Sequence, residues 1–302
     1  MAGHSMTSTA APVGQQQHIF GFTKAQFIAL CVMFAALIVA PFFLYPVFLM
    51  KLLCFALFAC AFNLLIGYVG LTSFGHAAYF GMGGYTTSLG YRTDDYKLVA
   101  FILSATLALA QMIYFFCLQA PFTGGEDGIQ AVPRGNLFGV ISLANDMTMY
   151  WFVAAVFVIC FLLIHRIVHS PFGQVLKAIR ENEPRTTSLG YRTDDYKLVA
   201  FILSATLAGV AGGTKSLVFG IATLTDVHWS MSGEVLLMTL VGGLGTVFGP
   251  MIGAAVIVAM QNYLAEMGAW VTVIQGFIFI ACVLAFRRGI VGEIANLLRV
   301  RL

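Results

Sequence analysis

The sequence predicts an all-α membrane protein: a polytopic helical bundle of about eight or nine membrane segments, two of them Gly-rich and broken or re-entrant. Three observations carry this. Of 302 residues, 60% are hydrophobic and only 10% charged, against about 45–50% and about 25% in a soluble domain. Mean hydropathy is +0.89. The apolar runs are continuous and about 20 residues long, enough to cross a hydrocarbon core of about 30 Å. Such a chain cannot cover itself with polar surface, which excludes a soluble globular enzyme, and disorder for most of its length. A β-barrel is excluded because its strands would alternate apolar and polar residues.

Residues 1–24 are polar and include the tract Gln15-Gln16-Gln17. They lack a basic stretch followed by a short apolar core and a small-residue cleavage site, so they read as a disordered tail, not a signal peptide. Residues 25–302 form a single membrane domain. Its segments fall near 25–45, 47–69, 71–90, 98–118, 148–165, 198–221, 235–248, 250–265 and 269–286. Pro41 and Pro46 mark the first turn. The segments 71–90 and 235–248 are the short, Gly-rich ones.

Two loops differ in charge. Loop 119–147 carries Glu126, Asp127 and Asp146 against one Arg134; loop 166–197 carries Arg166, Lys177, Arg180, Arg185, Arg192 and Lys197. Basic loops stay in the cytoplasm, which places 166–197 inside and 119–147 on the periplasmic side. Arg287, Arg288, Arg299 and Arg301 put the C-terminal tail inside as well. The side of the N-terminus is left open by parity. The net charge of +3 is too small to suggest nucleic acid. The six cysteines show no CxxC or Cys/His pairing and read as small buried hydrophobes.

Residues 86–108, TTSLGYRTDDYKLVAFILSATLA, recur letter for letter at 186–208. Diverged transporter repeats keep only hydropathy and packing. Identity over such a length is a different phenomenon. Recent duplication or recombination, an artefact of sequence assembly, and a functional tandem element compete as its origin. The second copy continues a basic loop into a long apolar span and fits its context, which marks the first copy as the intruder.

Several patterns bear on mechanism. The stretch Gly67–Gly84 holds six glycines and His76. Irregular backbone at membrane depth is tolerated only where it is buried or lines a cavity, and an intramembrane ionisable residue is a functional candidate. Gly75 and His76 are therefore path candidates, against a reading of close packing with His76 bonded to a backbone carbonyl. In the C-terminal half, Gly245, Gly249 and Gly253 recur every four residues, which would put them on one helix face unless Pro250 breaks it. Gly242, Gly245 and Gly249 join the path candidates. In the basic loop, Phe172, Val175, Leu176 and Ile179 form an apolar stripe at helical spacing. That stripe suits either docking into a groove of a soluble partner or lying on the membrane surface. GVAGGTKS at 209–216 misses the phosphate-loop pattern by Thr214 and lies in an apolar span. Asp226 and His228 are weak grounds for a metal. Lys215, Glu234 and His76 are the candidates an ion-coupled transporter would need. No convergent catalytic set emerges.

The strings GYVGLTSFGHAAYFGMGGY, PFTGGEDGIQAVPRG, SPFGQVLKAIRENEPR, LTDVHWSMSGEVLLMTLVGGLGTVFGP and AFRRGIVGE together resemble the LivM-type permease of branched-chain amino-acid ABC transporters. The resemblance covers about 50–85 and nearly all of 109–295. It implies a non-enzymatic permease subunit of a bacterial inner-membrane importer, with branched-chain or similar small amino acids as substrate. Urea or short amides are the alternative. It also implies a LivH-like second permease, two cytosolic ATPases that bind the ATP, a periplasmic binding protein and a surrounding lipid bilayer. No cofactor is implied for this chain. Segment 173–190 would be the coupling loop on an ATPase, with Gly173, Ala178, Arg180, Glu181, Asn182 and Gly190 as its residues. The sequence departs from the family after GMGGY, where further apolar sequence is replaced by the first repeat copy, as if membrane spans were lost.

Overall fold

The computed structural model describes residues 24–71, 75–82, 107–130, 132, 136–137, 141–265, 268, 270, 273–274, 276–277, 280 and 289–297. The polar tail and nearly all of the first repeat copy lie outside the described residues. Among those described, the fold is helical apart from one short hairpin.

The helices are α1 (Lys24–Phe43), α2 (Pro46–Ile66), α3 (76–82), α4 (Leu107–Gln119), α5 (Asp146–His169), α6 (Pro171–Glu181), α7 (Glu183–Ser188), α8 (Thr193–Phe219), α9 (Trp229–Gly242), α10 (Gly249–Tyr263) and α11 (Gly289–Leu297). Strands β1 (Asn136–Leu137) and β2 (Ile141–Ser142) pair antiparallel. Four described helices are long and apolar enough to cross a membrane: α1, α2, α5 and α8.

Helix α2 is the axis of the bundle. Every residue from Leu53 to Leu65 is buried, and α5, α8, α9 and α10 all pack on it. Lipid tails are as apolar as leucine, so hydrophobicity does not choose the central helix; close approach and polar bonds do. In α2 the small residues Cys54, Ala56, Ala59, Cys60 and Ala61 spread around the helix and let neighbours in from every side. Helix α1 does the opposite and exposes Ile28, Val32, Ile38 and Phe42. It is tied to α5 at two places: the Tyr150 hydroxyl donates to the Leu37 carbonyl at 2.7 Å, and Gln26 Nε2 lies 3.3 Å from His169 Nε2.

These bonds orient the molecule. His169 ends α5 and leads directly into the basic loop, so the N-terminal end of α1 lies at the basic end of the bundle. Of the two placements that the charges left open, this is the one with the N-terminal end of α1 beside the basic loop. Helix α2 then runs back to that end, and α3 turns away from it. Phe80 stacks on Phe58 at 4.3 Å, and Gly81 meets Val227 at the far end.

The acidic loop is built at that far end. Ile129 and Ala222 exchange two backbone hydrogen bonds, at 3.0 and 2.9 Å, and Val132 donates to the Gly220 carbonyl at 2.9 Å. Ile113, Cys117, Ile129, Ala222, Leu224 and Val227 form a small core beneath it.

One segment is placed differently from its sequence reading. The run 235–248 is not a unit: α9 ends at Gly242, and 243–248 is a loop. Pro250 stands in the first turn of α10, where its missing N–H costs nothing, so it starts a helix and breaks none. Gly245 therefore lies off the helix that carries Gly249 and Gly253. The apolar run 269–286 lies mostly outside the described residues.

Candidate functional site

The basic loop folds as two capped helices. Ser170 caps α6, its Oγ accepting from Gly173 N at 3.3 Å, and Asn182 caps α7, its Oδ1 accepting from Arg185 N at 3.0 Å. Each cap is followed by proline in the first helical turn, Pro171 and Pro184. Asn182 thus both ends α6 and starts α7.

The apolar stripe of α6 serves neither role assigned to it from sequence. Leu176 and Ile179 are buried against Leu65 of α2, Val69 just after it and Ala200 of α8, with Phe172 and Val175 partly buried beside them. Phe172 stacks on Tyr196 at 5.5 Å. The stripe is consumed by the chain's own helices because two helix ends lie beneath it. The residues that the loop presents outward include Gln174, Ala178, Arg180, Glu181, Asn182, Pro184, Arg185 and Leu189. Gly173 is buried, and a Cβ there would lie 2.3 Å from the Val168 carbonyl. Gly190 is exposed, at φ +91°.

Two contacts fix the loop. Lys197 Nζ donates to Glu183 Oε1. The Lys197 bond, with help from its charge and from a Thr193 hydrogen bond, holds the Glu183 carboxyl below its ordinary range. The second contact is Arg180, whose Nη1 donates to the Gly67 carbonyl at the end of α2. Its stem lies 3.2 Å from where a Gly70 Cβ would be, and the same nitrogen sits 3.0 Å from the corresponding position on Gly245.

One turn back on α2 is Asn63, 2% exposed. Its Nδ2 donates to the Thr246 carbonyl at 2.8 Å, and its Oδ1 accepts from Gly245 N at 3.1 Å. Gly245 has φ +77°, a conformation that L side chains rarely adopt, so the loop can turn toward Asn63 only with glycine there. Behind the loop, α9 and α10 touch backbone to backbone. A Cβ on Gly242 would lie 2.0 Å from the Gly249 carbonyl, and one on Gly253 would lie 1.8 Å from the Met238 carbonyl. Arg180, Asn63, Gly242, Gly245 and Gly249 thus form one junction, joining α6 to α2 and to the α9–α10 loop.

Gly75 and His76 stand at the start of α3, packed against another part of α2. His76 is fully buried and its Nε2 sits 2.9 Å from Ser204 Oγ, which itself donates to the Ala61 carbonyl at 2.6 Å. The hydroxyl proton is used on Ala61, so the imidazole carries its proton on Nε2 and donates. Its partner is thus a side-chain hydroxyl, where the packing reading had a backbone carbonyl. Phe62, Tyr79 and Phe201 stand edge-on around the ring at 5.3, 5.8 and 5.7 Å. The Ala77 N–H donates to Ser232 Oγ at 2.8 Å, which ties the start of α3 to α9. Ala61 and Asn63 are two residues apart, so both groups of candidates hang on one turn of α2.

Sequence reasoning passed over Asn63, Ser204 and Ser232. A lone Asn in an apolar run was the available signal, since a buried amide needs partners for four hydrogen-bonding positions. GVAGGTKS at 209–216 lies inside α8, where backbone N–H groups are spent on the helix.

A bundle of apolar helices, four of them long and apolar enough to cross a membrane and joined by polar contacts, has the build of a multi-pass membrane protein. The match to the family "Branched-chain amino acid transport system / permease component" spans residues 98–283, and the chain belongs to that family. It is 23% identical over 268 residues to the high-affinity branched-chain amino acid transport system permease protein LivM of Salmonella typhimurium, covering 71% of this chain and 62% of that protein. The LivM of Escherichia coli aligns at 22% identity over the same shares. A probable branched-chain amino acid transport permease protein LivM of Methanocaldococcus jannaschii is 28% identical over 151 residues, 49% of this chain and 43% of that one. The chain spans about six-tenths of the length of the two bacterial relatives. No solved structure matches it. The 268 aligned positions exceed 71% of 302 residues, so the bacterial relatives carry residues within the match that this chain lacks.

Proposed function

We propose that this chain is a membrane-spanning subunit of an ABC importer of the bacterial inner membrane, moving branched-chain or similar small amino acids into the cell. It works beside a second, LivH-like permease, two cytosolic ATPases and a periplasmic binding protein. The outward face of α6 and α7, with Ala178, Glu181 and Asn182 at its centre, docks on an ATPase. The relatives' names support the substrate class.

The observation that carries the mechanism is the junction at Arg180. A zwitterion cannot enter hydrocarbon unpaired, so a path between helices must open and close. ATP binding in the partner displaces α6. Arg180 holds the Gly67 carbonyl, and Asn63 holds Gly245 and Thr246. A shift of α6 therefore moves the end of α2 and the α9–α10 loop together. Those elements bear on Gly242, Gly245 and Gly249, with Gly75 and His76 adjoining, and we assign the path along them.

The test is co-purification and uptake. Glu181→Lys should abolish association with the ATPase while the subunit still inserts in the membrane. Full co-purification of that variant would remove the docking assignment. Leucine and urea uptake by the reconstituted assembly separates the two substrate classes: urea uptake without leucine uptake would overturn the amino-acid reading.

A further inference from the structure

The charges at the far end of the bundle, Asp226 buried and Lys51, Lys215 and Glu234 partly so, play no part in the coupling loop. Lys51 stands early in α2, Lys215 late in α8, Asp226 in the turn Leu224–Asp226 and Glu234 in α9. Twelve residues of α2 separate Lys51 from Asn63, about 18 Å at 1.5 Å per residue. The group therefore lies away from Arg180, toward the acidic loop. Lys215 Nζ donates to Asp226 Oδ1, with side chains 16% and 9% exposed. The same ammonium stands 5.4 and 5.6 Å from the ring centres of Phe55 and Phe80. Lys51 lies within electrostatic reach of both Lys215 and Glu234. Gln261 donates to Glu234 Oε2 at 3.1 Å.

Four charges drawn from four elements thus share one end of the apolar bundle, with Lys215 against Asp226 and the rings of Phe55 and Phe80. A buried ion pair is a poor source of stability compared with apolar packing, and ionisable groups at membrane depth mark substrate pathways. The two lysines repel each other; an incoming carboxylate relieves that. The two carboxylates, Asp226 beside Lys215 and Glu234 within electrostatic reach of Lys51, suit an ammonium. The group is formally neutral, with two positive and two negative members, the complement of a ligand that carries one of each.

We propose that Lys51, Lys215, Asp226 and Glu234 receive the charged head of a zwitterionic α-amino acid at the end of the bundle away from the coupling loop, its carboxylate on the lysines and its ammonium on the acids. This rests on the permease reading above. It gives these charges a role in substrate recognition, where an ion-coupled carrier would use them for a driving ion.

The full assembly in proteoliposomes tests it, with radiolabelled leucine as probe and leucinamide, which lacks the carboxylate, as competitor. Lys51→Gln and Glu234→Gln sit outside the tight Lys215–Asp226 pair. Each should lower uptake at limiting leucine by about tenfold or more, the scale of a desolvated charge contact. Each should also erode the preference for leucine over leucinamide, with co-purification of the subunits intact. Unchanged leucine uptake and preference in both variants overturns the proposal. The exchange variant K215D/D226K keeps an ion pair. Assembly with leucine uptake lost supports recognition, whereas assembly with full uptake makes the pair structural and overturns its part in the site. Wild-type assembly that moves no amino acid fails the permease reading itself, a result distinguishable from either.

Discussion

Asn63 shows how much one polar side chain can organise in an apolar bundle. Its amide satisfies a donor and an acceptor of the α9–α10 loop at once. Asn63→Leu leaves a buried N–H and C=O unpaired, so detergent-solubilised protein should lose about 1–3 kcal/mol of stability in thermal or denaturant unfolding. Asn63→Asp keeps the acceptor but loses the donor and adds a charge, so it should not rescue. Stability equal to wild type in Asn63→Leu would mean that the loop is held by packing alone. Glu183 makes a second residue-scale case, outside the membrane segments. Its bond to Lys197 holds its folded pKa below the ordinary value of 4.5. A carboxyl with a depressed pKa contributes stability that is complete above the unfolded pKa and lost as pH falls through the folded one. The contact between α7 and the start of α8 should therefore loosen below about pH 4.5 and be indifferent to pH above it. Hydrogen exchange of 183–197 against pH should show this step in wild type and not in Glu183→Gln. An identical profile in both would assign the step to another group.

Among the elements, the long uniform ones were legible from sequence and the compound ones were not. Continuous apolar runs gave α1, α2, α5, α8 and α10 within a few residues, because length and hydropathy decide whether a helix can span a bilayer. The stripe Phe172, Val175, Leu176, Ile179 gave α6, but not what it packs on, since periodicity names a face and not its partner. The run 235–248 misled because glycine serves two ends that look alike in sequence. At Gly242, Gly249 and Gly253 it allows helices to touch, and at Gly245 it allows a left-handed turn. Composition does not separate these. Nor does it reveal that Ser204, inside a long apolar span, stands opposite His76. The α9–α10 contact yields its own prediction. Gly253→Ala places a methyl 1.8 Å from the Met238 carbonyl and must push the helices apart, whereas a Cβ on Gly233 meets nothing within 4 Å. Thermal stability of Gly253→Ala should fall by about 1–3 kcal/mol, the range for overpacking. Gly233→Ala should hold or gain slightly from the helical preference of alanine. Equal behaviour of the two would show that α9 and α10 do not approach as described.

The whole molecule has two unlike ends joined by α2. One carries the basic loop, Arg180 and Asn63; the other carries the acidic loop and the group around Lys215. The N-terminal end of α1 and the C-terminal end of α5 share the basic end through Gln26 and His169, and Ile129 pairs with Ala222 at the other. The described helices account for this from residue 107 onward and up to residue 82. Between them lies the first repeat copy. An odd number of missing spans would put the two halves of the chain on opposing sides and break the contacts of α2 with α5 and α8. The packing of α2 on α5 and α8 therefore demands that the two described halves share one orientation in the bilayer. Single cysteines read this directly. Ala178→Cys, exposed on α6, should react with a membrane-impermeant maleimide only in inside-out vesicles. Asp127→Cys, exposed in the acidic loop, should react only from the opposite face. The native Cys54, Cys60 and Cys117 are buried, Cys31 and Cys160 lie within helices long and apolar enough to cross a membrane, and Cys282 is replaced by serine in both variants, so the background is low. Labelling of both positions from one face would mean that the chain does not thread the bilayer between its two charged loops.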